Sequence, residues 1–255
     1  MSAPPESFWS ALPLGPRVRV VARDANGVVA FDKPAGVLSH PNKPADAARS
    51  LLNAGYETEE ECYRWSAGGA GEGGHARLWL LNRLDSPTSG VILAAADGAL
   101  AREIRAQFKE RQVHKTYCAL VFGAPARPEE LWRDQLSVDK KGGHIRTRAV
   151  GNLPAECRMQ LLRSNRAEPR LSLLQLQPLT GRSHQLRVQC ARRRLPIVND
   201  ASYGDFKHNH AFARRTGCRR LFLHSLAVAF DYEWPGGKTR FRAEAPLPAE
   251  FEEFL

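Results

Sequence analysis

Short strand-like segments that follow one another through tight turns constrain the fold of this chain more than any other feature. Three pairs of such segments have turn residues between them: Arg17–Asp32 around Asp24–Gly27, Arg158–Arg163 with Arg170–Gln177, and Leu221–Tyr232 with Thr239–Ala243. No regular alternation of strand and helix joins them, which disfavours a Rossmann fold or a TIM barrel. We expect an α+β fold with a mixed, mostly antiparallel sheet and a few flanking helices.

Helical patterns are few. Asp97 is a candidate N-cap for a helix that ends near Arg111, because Leu100, Ile104 and Phe108 recur at helical spacing. Gly181–Arg194 has the pattern of a turn that leads into a second helix, and the first sixteen residues contain four prolines and no period. The sequence therefore predicts a flexible arm over residues 1–16. A single domain over residues 17–255 follows, since no repeat or composition shift marks another.

Two loops between apolar runs contain the most informative polar residues. Lys33–Pro41 is bracketed by prolines and is predicted to be a fixed loop. Asn82–Gly90 connects two buried strands and contains Asp85 beside Arg83, whose guanidinium favours an ionised carboxylate. Asp85 is then either a nucleophile or base, or the acceptor in an Asx-type turn, and its local sequence leaves both open.

Three further segments have an ordinary structural interpretation beside a functional one. Arg182 and His184 precede a helix start, where anions bind well, but such residues are also common on surfaces. Tyr117 lies in a predicted strand, where its structural interpretation is a half-buried aromatic residue of the sheet. The glycine-dense Ser66–Gly74 segment lacks the spacing of a phosphate-binding loop and predicts a flexible connection.

Charge and cysteine usage narrow the function classes. The chain has 37 Lys and Arg against 27 Asp and Glu, a net charge of +10, and its arginines are clustered. A polyanionic partner is the first hypothesis, and a basic surface without a partner is the alternative. Five scattered cysteines indicate neither a disulfide framework nor a zinc site, the acidic clusters lack ligand spacing, and no membrane span or export signal is visible. We expect a cytoplasmic protein.

Several segments, in this order, resemble the RluA-type family of RNA pseudouridine synthases. They are KPAGVLSHP at Lys33–Pro41, RLDSPTSG at Arg83–Gly90, KTYCALV at Lys115–Val121, LTGRSHQLRV at Leu179–Val188, and Pro196–Gly204 with Asn199, Asp200 and Tyr203. Leu221–Ser225 is similar to the closing core strand of that family. The likeness runs from about Val20 to about Glu244.

The resemblance implies a fold with a central cleft that holds a flipped uridine, and a reaction that needs no cofactor or metal. Asp85 would initiate cleavage of the C1′–N1 bond as nucleophile or base, and the freed uracil would rotate and rejoin through C5. Tyr117 would stack on the uracil and Arg187 would pair with Asp85.

The same resemblance implies the remaining contacts with substrate. Arg83 would fill the gap left by the flipped base, Arg182 and His184 would touch phosphate or brace the loop, and Leu186 and Leu223 would line the pocket. Many relatives have His where this chain has Asn82. The chain also lacks room before Val20 for the small S4 RNA-binding domain of some relatives.

Recognition of structured RNA, ribosomal or transfer, is therefore expected from the catalytic domain and its variable loops, among them Arg133–Arg148 and Lys207–Arg220. Nothing in the sequence calls for more than a monomer or for a membrane. A non-catalytic RNA-binding or ribosome assembly factor with the same basic cleft is the alternative from another class. A metal nuclease, which would need a ligand cluster, is a third.

Overall fold

The computed structural model describes residues 3–66, 75–141 and 144–255. In these residues the strands are β1 (Arg19–Arg23), β2 (Val28–Lys33), β3 (Gly55–Glu57), β4 (Cys62–Ser66), β5 (His75–Leu80), β6 (Ser89–Ala95), β7 (His114–Phe122), β8 (Glu129–Lys141), β9 (His144–Ser164), β10 (Leu171–Pro178), β11 (Leu223–Trp234) and β12 (Gly237–Glu244). The helices are α1 (Glu6–Ser10), α2 (Gly98–Lys109), α3 (Gln185–Arg192), α4 (Phe206–Thr216) and α5 (Glu250–Glu253), and Pro44–Arg49 is a 3₁₀ helix. The predicted flexible connection at Ser66–Gly74 lies, from residue 67, outside the described residues.

The chain forms two compact units where the sequence predicts one domain over residues 17–255. The first unit comprises Met1–Val113 and Ala227–Ala245, and the second comprises His114–Leu226 and Pro246–Leu255. Each unit is thus built from two separate stretches of chain. No sharp change of composition marks any of the three junctions, so the sequence does not signal the division.

The first unit contains an antiparallel sheet in the order β3-β4-β5-β6-β2-β1. All seven residues of β6 are buried, and α2 packs on this region through Leu100 and Ile104. Asp97 caps α2 by accepting hydrogen bonds from the Ala99 and Leu100 amides, which confirms the predicted helix start. The β1–β2 and β11–β12 hairpins are confirmed as well.

The second unit contains the antiparallel order β7-β10-β9-β8. Its core joins buried side chains of β7 and β10 to those of α3, α4 and α5, with Trp132 and Phe222 among the largest. Strands with a few flanking helices make this an α+β fold, as the turn pattern predicts. The β9–β10 hairpin confirms the third predicted pair.

Two segments predicted to be variable loops are regular structure instead. Residues 133–141 and 144–148 belong to strands β8 and β9. In β8 the buried residues Trp132, Asp134 and Leu136 alternate with exposed ones, but the charge of Asp134 at an inward position hides this pattern in the sequence. The register shifts after Leu136, where a Cβ at Gly151 would lie 2.2 Å from the Leu136 carbonyl oxygen. Residues 207–220 are mostly α4, whose single buried residue, Phe212, gives too weak a period to detect.

The N-terminal segment, which the sequence predicts to be a flexible arm, contains a short helix and contacts other residues of the first unit. Within residues 3–16 the chain forms α1, and the Phe8 ring packs on the Trp65 ring at 5.5 Å between centroids. Arg23 donates to the Glu6 carboxylate at 2.7 Å, and Leu12 is buried. Apolar side chains between the prolines hold the segment against the first unit. Over the described ranges, no helix is long and apolar enough to cross a membrane.

Candidate active site

The Asp85 loop is fixed to the first unit through Ser39. The buried Ser39 hydroxyl donates to the Leu84 carbonyl at 2.7 Å and accepts from the Leu84 amide at 3.0 Å. The Ser39 carbonyl in turn accepts from the buried Tyr63 hydroxyl at 2.8 Å. These bonds hold the residue directly before Asp85 by both of its backbone groups. The loop continues as a turn in which the Thr88 amide donates to the Asp85 carbonyl at 3.0 Å.

Lys33 ties the two motif loops of the first unit together. Its side chain is fully buried, and Nζ donates to the carbonyls of Val37 at 2.7 Å, Pro34 at 3.1 Å and Ser86 at 3.1 Å. The Gly36 amide also donates to the Ser86 carbonyl at 2.8 Å. A buried ammonium that donates to three carbonyls explains how the Lys33–Pro41 loop is held largely without regular structure.

The residues that flank Asp85 on its N-terminal side have separate roles. Asn82, which stands where many relatives have His, accepts from the Leu93 amide at 2.8 Å and so anchors the loop to β6. Arg83 is exposed, and its Nη1 lies 3.6 Å from a carboxylate oxygen of Glu61. Asp85 itself is partly buried. The loop therefore presents one carboxylate from a backbone that is held at several points.

In the second unit, Arg187 forms a buried ion pair with Asp200. Arg187 Nε donates to Asp200 Oδ2 at 2.8 Å, and Nη2 donates to Oδ1 at 2.7 Å. Only 6% of the Arg187 side chain and 1% of the Asp200 side chain are exposed. Burial raises the pKa of Asp200, but the Arg187 hydrogen bond and charge and the amides of Tyr203 and Ser202 outweigh it and bring that pKa below its ordinary value.

Tyr203 supports the same guanidinium from its face. The Arg187 guanidinium carbon lies 5.1 Å from the Tyr203 ring centroid, a cation–π distance. The Tyr203 hydroxyl accepts from the Thr147 amide at 2.9 Å and lies 2.8 Å from His184 Nδ1. His184 adopts the left-handed conformation, with φ of 53°, directly before α3. Strand β9, His184 and Arg187 are thus linked through one tyrosine.

The other residues predicted for the second unit are also located. Arg182 donates through Nε to the Pro154 carbonyl at 3.2 Å, so it braces the segment before α3 against β9. Leu186 and Leu223 are buried in one hydrophobic cluster, and Tyr117, paired with Leu176 across β7 and β10, packs against it. A core position for these three is compatible with both their structural and their pocket-lining interpretation.

The predicted site residues fall into two groups. Asp85 and Arg83 belong to the first unit, and six belong to the second: Tyr117, Arg182, His184, Leu186, Arg187 and Leu223. The expected pairing of Asp85 with Arg187 and the central cleft stay predictions. Sequence reasoning gave no role to Ser39, Lys33, Asp200 or Tyr203, although all four lie inside the motif segments. No group of three His, Cys, Asp or Glu within the described ranges is arranged to hold a metal ion.

Comparisons with known proteins agree with the motif pattern. The family model described as RNA pseudouridylate synthase matches residues 27–192. A tRNA pseudouridine synthase C of Yersinia pestis is 33% identical, with 87% of this chain and 94% of that protein covered. A ribosomal large subunit pseudouridine synthase C of Vibrio cholerae is 34% identical over 70% of this chain, which spans about half, 54%, of that protein.

Solved structures show the same fold at lower identity. The human RNA pseudouridylate synthase domain containing 1 superposes with a TM-score of 0.66 at 21% identity, covering 92% of this chain and 86% of that one. The human RNA pseudouridylate synthase domain containing 4 has a TM-score of 0.62 at 23% identity, with 97% and 94% covered.

Proposed function

The chain belongs to the RNA pseudouridylate synthase family, and on that premise we propose which RNA it modifies and which residues do so. Family membership makes it an RNA pseudouridine synthase, an isomerase. Its proposed substrates are specific uridines of structured RNA, transfer or ribosomal. Relatives named for each class match this chain at similar identity, so the proposal keeps both RNA classes.

Asp85 is the residue we assign to the start of the reaction. As nucleophile or base it promotes breakage of the C1′–N1 bond; the uracil then turns so that C5 bonds to C1′, C5 loses its proton and N1 gains one. Substrate and product have the same atoms, so a single carboxylate suffices and no second acid is required. The hydrogen bonds from Ser39 and Lys33 support this assignment, because they fix the backbone on both sides of Asp85.

Residues of the second unit bind the flipped nucleotide. Tyr117 stacks on the uracil, Leu186 and Leu223 line the pocket, and Arg187 pairs with Asp85. The ion pair with Asp200 orients the Arg187 guanidinium. Arg182 and His184, on the segment before α3, contact phosphate or brace that segment.

Basic surface residues bind the RNA backbone. The outer side of α4 exposes Lys207, Arg214 and Arg215, while the helix itself contains no acidic residue. Phe206, 65% exposed at the start of α4, adds an aromatic face for an unpaired base. A net charge of +10 gives the chain long-range attraction for RNA. Arg83 fills the position that the flipped base vacates.

A non-catalytic RNA-binding or assembly role is less well supported. Such a protein has no use for a carboxylate presented beside a polyanion, and Asp85, Tyr117 and Arg187 are all present. We propose that the protein is cytoplasmic and that its oligomeric state is a monomer.

The test is release of tritium from RNA labelled at uridine C5, with transfer and ribosomal RNA assayed separately. We expect release by wild type and none by Asp85→Asn, while the matched control Asp231→Asn, a carboxylate on the β11–β12 hairpin, retains wild-type activity. Release by wild type from one pool identifies the RNA class. No release from either pool, with folded protein that binds both, would favour the binding role instead.

A further inference from the structure

Lys115 lies two residues before Tyr117 on β7 and is partly buried. Because side chains alternate along a strand, Lys115 and Tyr117 point to the same face, about 7 Å apart along β7. The position of Lys115 beside the proposed uracil-stacking residue makes its environment informative.

The tip of Lys115 lies against the segment that leads into α3. A Cβ added at Gly181 would be 3.9 Å from Lys115 Nζ, so the ammonium lies close to the Gly181 backbone. Gly181 is exposed and is followed by Arg182 and, two residues later, His184. Three basic side chains are therefore attached to two adjacent segments of the same unit.

Lys115 has no anionic partner in the part of the chain that the structure describes: no hydrogen bond or ion pair reaches its Nζ there. Its ionisable neighbour is Cys157, which is fully buried. Burial raises the pKa of the Cys157 thiol to about 12, so this neighbour stays neutral at physiological pH. Burial also lowers the pKa of Lys115. A partly buried cation without a counter-ion destabilises the folded protein.

We infer that Lys115 binds a backbone phosphate of the RNA at the nucleotide whose uracil stacks on Tyr117. This inference rests on the proposed function. The spacing of two strand residues is of the same order as the distance between the base and the phosphate of one nucleotide. A phosphate oxygen supplies the charge and the hydrogen-bond acceptor that the folded protein lacks at this point. The phosphate would approach from the side of Gly181, which is exposed and lies next to the ammonium.

A phosphate-binding lysine and a structural lysine differ in the expected effect of their removal on the stability of the folded protein. A structural lysine stabilises the fold, so its removal lowers the free energy of unfolding. Lys115→Met keeps the apolar stem and removes an uncompensated charge; we therefore expect unfolding to need more urea than in wild type. RNA affinity should move in the opposite direction, falling about tenfold through loss of one charge-assisted contact.

The experiment compares wild type, Lys115→Met, Lys115→Arg and the control Lys238→Met. Lys238 is an exposed lysine, 68% accessible, whose Nζ lies 3.4 Å from the Asp231 carboxylate. RNA dissociation constants are measured between about 50 and 200 mM salt. The slope of log K against log salt should fall by about 0.7–0.9 in Lys115→Met, return in Lys115→Arg and stay unchanged in Lys238→Met.

A second probe identifies the phosphate. RNA with one neutral methylphosphonate linkage at the modified uridine should bind wild type about tenfold more weakly, yet bind Lys115→Met as well as unmodified RNA does. Unchanged salt slope and affinity in Lys115→Met, or a lower urea midpoint than wild type, would overturn the inference. If wild type releases no tritium but the Lys115 variants still change RNA affinity and salt slope as expected, the proposed function is contradicted and this contact is not.

Discussion

Replacing Asp200 by Asn tests the most buried ion pair of the second unit. Asn keeps the shape of the side chain and an oxygen that can still accept from the Ser202 and Tyr203 amides. What disappears is the charge opposite Arg187, whose side chain is only 6% exposed. Breaking a buried pair from one side costs about 3–5 kcal/mol, since the remaining group loses a charge that compensated it. At about 2–4 °C per kcal/mol, the melting temperature should fall by roughly 10 °C.

The assay is urea unfolding at pH 7 of wild type, Asp200→Asn and Asp231→Asn. Asp231 pairs with Lys238 and Arg240 on the surface, so its loss should change the free energy of unfolding by less than about 1 kcal/mol. The pKa of Asp200 is lowered in the folded state, so its contribution is present above the ordinary carboxyl pKa and disappears as pH falls through the lowered value. Wild type and Asp200→Asn should therefore converge in acid. Equal losses in the two variants at pH 7 would refute the reasoning.

Three further outcomes are expected. Lys33→Met removes three hydrogen bonds from a buried ammonium, so the free energy of unfolding in urea should fall by about 3 kcal/mol, whereas an unchanged midpoint would mean that water replaces the ammonium. Ser39→Ala should lower kcat with little change in KM, because it loosens the backbone before Asp85; an unaltered kcat would contradict that. Burial raises the pKa of the Cys62 and Cys118 thiols to about 11 and that of Cys157 to about 12. Because unfolded chains lose these protons at lower pH, the free energy of unfolding should fall between pH 8 and 10 by about 1 kcal/mol per thiol. In Cys118→Ala this pH-dependent loss should be smaller by about 1 kcal/mol.

Local patterns predicted most of the regular structure correctly. Tight turns between apolar runs gave the hairpins, and an N-cap followed by a helical period gave α2. The β8 strand was missed because Asp134 occupies an inward position, where its charge is balanced by Arg192 and Arg193 from another part of the chain. The α4 helix was missed because one buried residue is enough to hold it. Both misses involve packing partners that lie far away in sequence.

The sequence by itself determined the family: the motif segments and their order place the chain among the RNA pseudouridine synthases, and Asp85 is the carboxylate that we propose as catalytic. Only the tertiary structure decided which hydrogen-bond and ion-pair partners the residues of these motif segments have. Ser39 holds Leu84 from 45 residues away and Asp200 holds Arg187 across 13 residues, whereas Lys115 has no anionic partner among the residues that the structure describes. Residue type fixes which bonds a side chain can make, whereas the partner and the degree of burial, which set the strength of those bonds, arise only when distant segments pack together.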